Sequence, residues 1–504
     1  MLKLEEIKDQ DTLQQAAILL EKTVIRQNKE IADLRAKIAH LCGQDVDPQM
    51  ELELLREQLA AMQKKLYGPS SEKRPKPAEG TDGKADEQRR GHGPRSQPNL
   101  PIEELTHTLA EDERTCTFCG GDLEEMKGQS EDSEEITVVE LSYKVVKHQR
   151  QKYRCRCNAQ VVTAPGPDKL IPGGRYSVEL AVHVAEKKFL DHMPLERQVK
   201  AMERRGFLCD SQTLWDQSKA LYDHLVPSYS ALCERALSAE VILADETHWK
   251  LLGAKNETSK WWVWCVATED TAAYRILNSR SAKAAGKLLG GFEGIAMTDG
   301  YGAYQALARA GPKVTLAHCW AHVRRKYVEA EDAEPKRSQQ AVDLIGKLFE
   351  VERQLPKLEA SMSEDERGTA LILRQKLREE QSRPVVKQLL DWALMNRGNV
   401  LPRSKMGKAI AYMLNLWEGL TRFLDDPRVP LDNNGAERAL RGVVVGRKNH
   451  YGSRSKQGTK VAALFYTLFE SAKLAGVDPH AYVLEAAKRA IRTPGAVTLP
   501  HDLT

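Results

Sequence analysis

Three acidic residues stand where a strand-and-helix site would need them: Asp245 in VILADETHW, Asp299 in GIAMTDGYGAY and Glu437 in LDNNGAERALRG. Each aspartate closes a short apolar run, the pattern of a buried strand that ends with its carboxylate turned outward. Glu437 follows Asp432, Asn433 and Asn434, residue types that cap helix N-termini. Carboxylates from two strand ends and one helix can converge on hard, oxygen-seeking cations. Mg²⁺ takes one or two protein carboxylates and completes its octahedron with water and phosphate oxygens. Two such ions, roughly 3.5–4 Å apart, clamp the attacking and leaving oxygens of an in-line phosphoryl displacement. The chemistry indicated is therefore phosphodiester chemistry. A chain with 71 acids also places some at strand ends by chance. Glu437 moreover has Arg441 one turn on, the spacing of an ordinary surface ion pair.

The surroundings favour the chemical reading. Net charge is a modest +4, but from Arg438 to Lys460 the chain carries seven basic residues and no acid. Such a stripe suits phosphate contacts, with a solvated helix face as the alternative. It begins one residue after Glu437, the layout expected when the substrate is a polyanion. At 504 residues, with 41% apolar and 29% charged side chains, the chain has material for several domains. No run approaches the roughly 18 uninterrupted apolar residues of a membrane span. The N-terminus MLKLEEIKDQD lacks an apolar signal core, so the expectation is an intracellular protein. Nine cysteines, an odd number, argue against a disulfide framework.

Several elements must position these residues. Leu13, Ala17, Leu20, Val24, Gln27, Ile31, Leu34, Ile38 and Leu41 step by four and three, and the frame resumes at Leu52. That is a heptad seam, so residues 1–67 are expected to form a coiled coil and a homo-oligomer. Residues 68–99, rich in Pro, Gly and charge, read as a linker. Within 100–165, Cys116 and Cys119 pair as C-x-x-C and Cys155 and Cys157 as C-x-C, around strand-like alternation. Two thiolate pairs joined by a hairpin suit a structural Zn²⁺, a zinc-ribbon module. In 166–235, the stretch 194–224 reads as two short helices joined through Gly206 with Ser211 capping the second. It is either a helix-turn-helix or a plain helical hairpin. Residues 236–330 alternate strands and helices: three antiparallel strands, a crossover helix and a parallel strand, with Asp245 on the first strand and Asp299 at the tip of the fourth. This is a multidomain α/β chain with a ribonuclease H-like core. Residues 331–425 read as a helical insertion, interrupted at Pro335, Pro356 and Pro384. Residues 426–465 complete the core, and 466–504 form a C-terminal segment. Trp261, Trp262 and Trp264 alternate on a strand as core residues or as base-stacking platforms.

At these residues the chain resembles transposases of the insertion sequence 66 family. The signatures are KKLYGPSSEK at 64–73, the paired cysteines, ADETHW at 244–249 and TDGYGAY at 298–304. HCWAHVRRKY at 318–327, DNNGAERALR at 432–441 and GRKNHYGSRSKQG at 446–458 follow in the family's order. The resemblance implies a DDE catalytic domain in which Asp245, Asp299 and Glu437 hold Mg²⁺ or Mn²⁺. It implies cleavage at transposon ends and joining of the freed 3′-hydroxyl to target DNA. It also implies possible accessory proteins encoded by the same element, and a bacterial cytoplasmic, nucleoid-associated protein with no membrane partner. A nuclease or resolvase that cuts without joining, and a domesticated DNA-binding protein without catalysis, are the alternatives. Cys319 and His322 form a C-x-x-H, with His318 and His322 expected on one helix face. A role supporting the site or orienting phosphate fits His322, Cys319 and Asn433 better than zinc binding, with a packed helix start as the alternative. Arg324, Arg325, Arg438, Arg441, Arg447, Lys448 and Asn449 are candidate DNA contacts.

Overall fold

The protein is seen in a computed structural model that describes residues 141–154, 161–253, 260–311 and 313–503. The expected coiled coil, the linker and all four paired cysteines lie outside the described residues. A short antiparallel pair, β1 (Lys152–Arg154) and β2 (Val161–Thr163), comes first. Three helices follow: α1 (Val178–Phe189), α2 (Leu195–Glu203) and α3 (Ser211–Leu237). The cap of α3 differs from the expectation. Asp210 accepts from the Thr213 amide at 2.6 Å, while Ser211, already helical, donates to Glu196. α3 also runs far past residue 224, through Pro227, and buries Leu221, Leu225 and Leu232 in the main core.

A five-stranded mixed sheet comes next. β3 (Val241–Lys250) pairs antiparallel with β4 (Lys260–Ala267), which pairs antiparallel with β5 (Ala272–Leu277). Helix α4 (Ala282–Leu288) crosses to β6 (Gly294–Thr298), parallel to β3, and α5 (Gly302–Ala310) leads to β7 (Val314–His318), parallel to β6. The strand order is β5-β4-β3-β6-β7. Alternation along β3 sends Ile242 and Ala244 to the face covered by α4 and α5, and Trp249 to the opposite face. Trp261 and Trp264 are buried, which makes them core residues.

Helix α6 (Trp320–Glu329) leaves β7 and opens the helical region, which holds α7 (Pro335–Gln354), α8 (Glu364–Leu377), α9 (Arg383–Arg397), α10 (Lys405–Asn415) and α11 (Trp417–Thr421). Here Pro335 starts a helix rather than interrupts one, since the first turn has no need of its missing N–H, whereas Pro384 lies where the α-helical ladder is broken. A π-turn at Arg378–Ser382 joins α8 to α9. Arg378 is fully buried there and forks onto Glu352 at 2.7 and 2.9 Å, with Nη1 donating to the carbonyls of Phe423 and Val429. This region packs its own core of Trp320, Tyr327, Ile345, Leu389 and Met413.

The chain then returns through α12 (Asn434–His450), α13 (Lys456–Leu474) and α14 (Pro479–Arg492). α13 lies along the open edge of β5. Its Thr467 and Ser471 hydroxyls accept from the Tyr274 and Ala272 amides at 3.0 and 3.1 Å, so the edge strand is closed by side chains. Phe465, Phe469 and Tyr482 share one core with Trp249 and Tyr274. No described helix is long and apolar enough to cross a membrane.

Candidate active site

The two aspartates meet through strand register. β3 and β6 run parallel with Leu243 opposite Met297. Carried two residues further, that register sets Asp245 level with Asp299, the first residue after β6. The turn there is tight. Gly300 has φ +83°, and a Cβ on it would come within 2.5 Å of Leu416, so glycine is required by conformation and by space. The Asp299 carboxylate accepts from the Tyr301 amide at 2.8 Å, and its backbone carbonyl accepts the Tyr412 hydroxyl of α10.

The third acid arrives on α12. Asp432 accepts from the Asn434 amide at 2.9 Å and shapes the turn. Asn433 does not cap the helix with its side chain. Its Nδ2 donates to the Ala244 carbonyl at 2.9 Å, and its amide to Cys319 Sγ at 3.2 Å. Both bonds are buried and pin the helix start to β3 beside Asp245 and to the start of α6. Glu437 then follows one turn into the helix. It faces His322 Nε2 at 3.6 Å, and no pair forms with Arg441 among the described residues.

Electrostatics show how crowded the acids are. Burial, then the charge of Glu246, then those of Asp299 and Glu437 push Asp245 up to about 7, against a bond from the Glu246 amide. Burial lowers His322, with Glu437 opposing, so its imidazole is neutral at pH 7. Three buried atoms here have no hydrogen-bond partner: Glu437 Oε1, Asn433 Oδ1 and His322 Nδ1. Among the described residues no three His, Cys, Asp or Glu side chains form a ready-made metal cage. A hard divalent cation does not need one, because it keeps waters and takes phosphate oxygens. Hard oxygen donors, mutual repulsion and orphaned buried acceptors fit such a cation.

The other candidate residues divide. Burial pushes the Cys319 thiol up to about 12, so it is a neutral acceptor for Asn433 and a poor zinc ligand. His318 does not share a helix face with His322. It is the last residue of β7, buried against Gly419 and 3.3 Å from the Thr298 hydroxyl, and burial lowers it to about 4. Arg324 and Arg325 lie half-buried on α6. Arg438, Arg441 and Lys448 are exposed along α12, with Asn449 half-buried. Arg447 is engaged within the fold: Nη1 donates to the Thr247 hydroxyl at 3.1 Å and to the His248 carbonyl, tying the end of α12 to β3. Sequence reasoning overlooked Glu246, Arg280, Tyr304 and Tyr412. Only Glu246 had a local signal, its adjacency to Asp245.

Asp245 does not end its strand as expected, since β3 pairs on to Lys250; the acids come instead from the middle of one strand, the end of another and a helix, beside exposed cations, an arrangement suited to polyanionic substrates. The comparisons name the class. Residues 173–461 match the model described as Transposase IS66 family, and residues 113–158 match the zinc-finger binding domain of transposase IS66, a span that includes all four paired cysteines. The chain belongs to the IS66 transposase family. Its relatives include uncharacterized protein y4jD of Sinorhizobium fredii, 32% identical over 398 residues, covering 75% of each chain. Uncharacterized protein y4qI of the same organism is 33% identical over 377 residues, covering 72% of this chain and 68% of its own.

Proposed function

We propose that the chain is a DDE transposase that cleaves phosphodiesters at transposon ends and joins the freed 3′-hydroxyls to target DNA. The observation that carries this reading is geometric: strand register sets Asp245 level with Asp299, and the Asn433–Ala244 bond pins the start of the helix that carries Glu437 beside them. The sheet order, three antiparallel strands followed by two parallel ones, supports a ribonuclease H-like core with residues 331–425 as an insertion. The zinc-finger match supports a structural Zn²⁺ on Cys116, Cys119, Cys155 and Cys157, and the heptads support self-association through residues 1–67.

Asp245, Asp299 and Glu437 would hold two divalent cations, Mg²⁺ or Mn²⁺. When bound, these supply charge neutralisation at the phosphate and a water of lowered pKa. The protein's own residues do the rest. Asp245 must be ionised to serve, which burial and the charge of Glu246 oppose in the metal-free chain. Neutral His322 stands behind Glu437 and limits where that carboxylate can swing. Asn433 holds the helix that delivers it. Arg438, Arg441 and Lys448 present charge to the DNA backbone without reading sequence. In the first step a water oxygen bonds to phosphorus as the P–O3′ bond breaks, leaving a 3′-hydroxyl and a 5′-phosphate. In the second, that 3′-oxygen attacks a target phosphorus and displaces the target's own 3′-oxygen.

A joining assay tests this. The purified full chain is given Mg²⁺ or Mn²⁺ and labelled DNA from both flanks of its gene, with Asp299→Asn as control. Joined products from wild type alone support the proposal. Nicks without joining indicate a nuclease, and binding without cleavage a DNA-binding protein. Unchanged processing by Glu437→Gln would remove Glu437 from the site.

A further inference from the structure

Glu246 follows Asp245 in the chain but points to the other face of β3, toward α5. Its side chain is fully buried. Oε1 accepts from Arg280 Nε at 2.7 Å and lies 2.6 Å from Nη2, while Oε2 accepts the Tyr304 hydroxyl at 2.8 Å. Each partner leads back to Asp299. Tyr304 stands in the first turn of α5, the helix that follows Asp299. Arg280 stacks on Tyr301, its guanidinium carbon 3.8 Å from the ring centroid, and on Trp262 at 4.9 Å. The Tyr301 hydroxyl donates to the Arg280 carbonyl at 3.1 Å, and the Tyr301 amide donates to Asp299. A continuous path of contacts thus runs from β3 through Glu246, Arg280 and Tyr301 to Asp299.

We propose that Glu246 is a positioning residue: its carboxylate ties the middle of β3 to the β6–α5 turn and so sets the separation of Asp245 and Asp299. It is not a further cation ligand. Both its oxygens are engaged, its charge is met by Arg280, and it faces away from α12. Residues behind a metal site typically influence it by fixing the orientation of those in front. The inference rests on the carboxylate-site reading above, and the test separates the two.

The experiment titrates Mn²⁺ into the full-length protein by electron paramagnetic resonance, with thermal unfolding of each variant alongside. Glu246→Gln cannot accept from both partners and leaves Arg280 without its counter-charge. Tyr304→Phe removes one bond and keeps the ring packed on Trp264, 5.8 Å away between centroids. Mn²⁺ binding is expected to weaken about 10- to 100-fold in Glu246→Gln. A smaller loss is expected in Tyr304→Phe at nearly unchanged melting temperature. Arg280→Lys, which restores charge without the planar fork, should recover only part of the affinity lost in Arg280→Ala. Wild-type Mn²⁺ affinity in folded Glu246→Gln and Tyr304→Phe overturns the proposal. If Glu246→Gln does not fold, Tyr304→Phe decides. If Asp245→Asn also binds Mn²⁺ like wild type, the carboxylate site itself is overturned.

Discussion

Replacing Asp245 with Asn should make the metal-free protein more stable, and by an amount that depends on pH. In the folded chain Asp245 is raised from an ordinary 3.8 to about 7. A buried acid of this kind holds a proton that the unfolded chain releases. Between pH 3.8 and 7 stability therefore falls as pH rises, and above 7 the whole cost is present. Three pH units at about 1.4 kcal/mol each give a cost of about 4 kcal/mol above pH 7 and about 1–2 kcal/mol at pH 5. Asparagine keeps the shape and has no charge to bury. The gap between variant and wild type should thus widen by about 2–3 kcal/mol from pH 5 to pH 8. At about 2 °C per kcal/mol, that is roughly 5 °C in melting temperature. The assay is thermal unfolding in chelator at half-unit pH steps. A second arm adds Mn²⁺, which should stabilise wild type and leave Asp245→Asn unmoved. A gap that stays constant with pH, or a variant less stable than wild type at pH 8, would refute the idea that acids are crowded here at the expense of stability.

Other outcomes follow from the same structure. Arg378→Leu takes the close fork from Glu352, leaving it the 3.6 Å pair to Arg374, and strips two carbonyls of their donor; it should destabilise the helical region by about 3–5 kcal/mol, read by chemical denaturation. Arg441→Ala and Lys448→Ala should each reduce the slope of log affinity against log salt by about 1 in a DNA titration, with equal loss on specific and random duplexes. Cys116→Ser should release zinc and lower DNA affinity. Metal analysis of the purified wild type that finds no zinc would remove the zinc proposal.

The strands that carry Asp245 and Asp299 were legible because a period of two is visible in a short window, but only Asp299 closes its strand; β3 continues past Asp245 to Lys250. Glu437 was legible as a helix residue from the cap-forming types before it, yet the cap detail differed. Asn433 spends its side chain on Ala244, a partner 189 residues away that no local pattern reveals. His318 shows the same limit. A strand that ends directly in a helix leaves HCWAH open to either reading, and only the pairing of β7 with β6 settles it. Glu246 was overlooked because its partners lie 34 and 58 residues downstream. Arg447, one cation among seven in its stripe, is distinguished from the rest only by the strand beneath it.

The bond between Asn433 and Ala244 also bears on when the three acids can come together. Both aspartates leave the ribosome long before Glu437 does, and the helical region must be made in between. At roughly 5–20 residues per second, about ten seconds or more separate the synthesis of Ala244 from that of Asn433. During that interval the nascent chain has two of its acids and lacks the third. A polypeptide terminated early within the insertion would stay in that state. If the three acids act together as proposed, splitting them across the chain makes synthesis past Glu437 a precondition for the site's chemistry, with no inhibitor required.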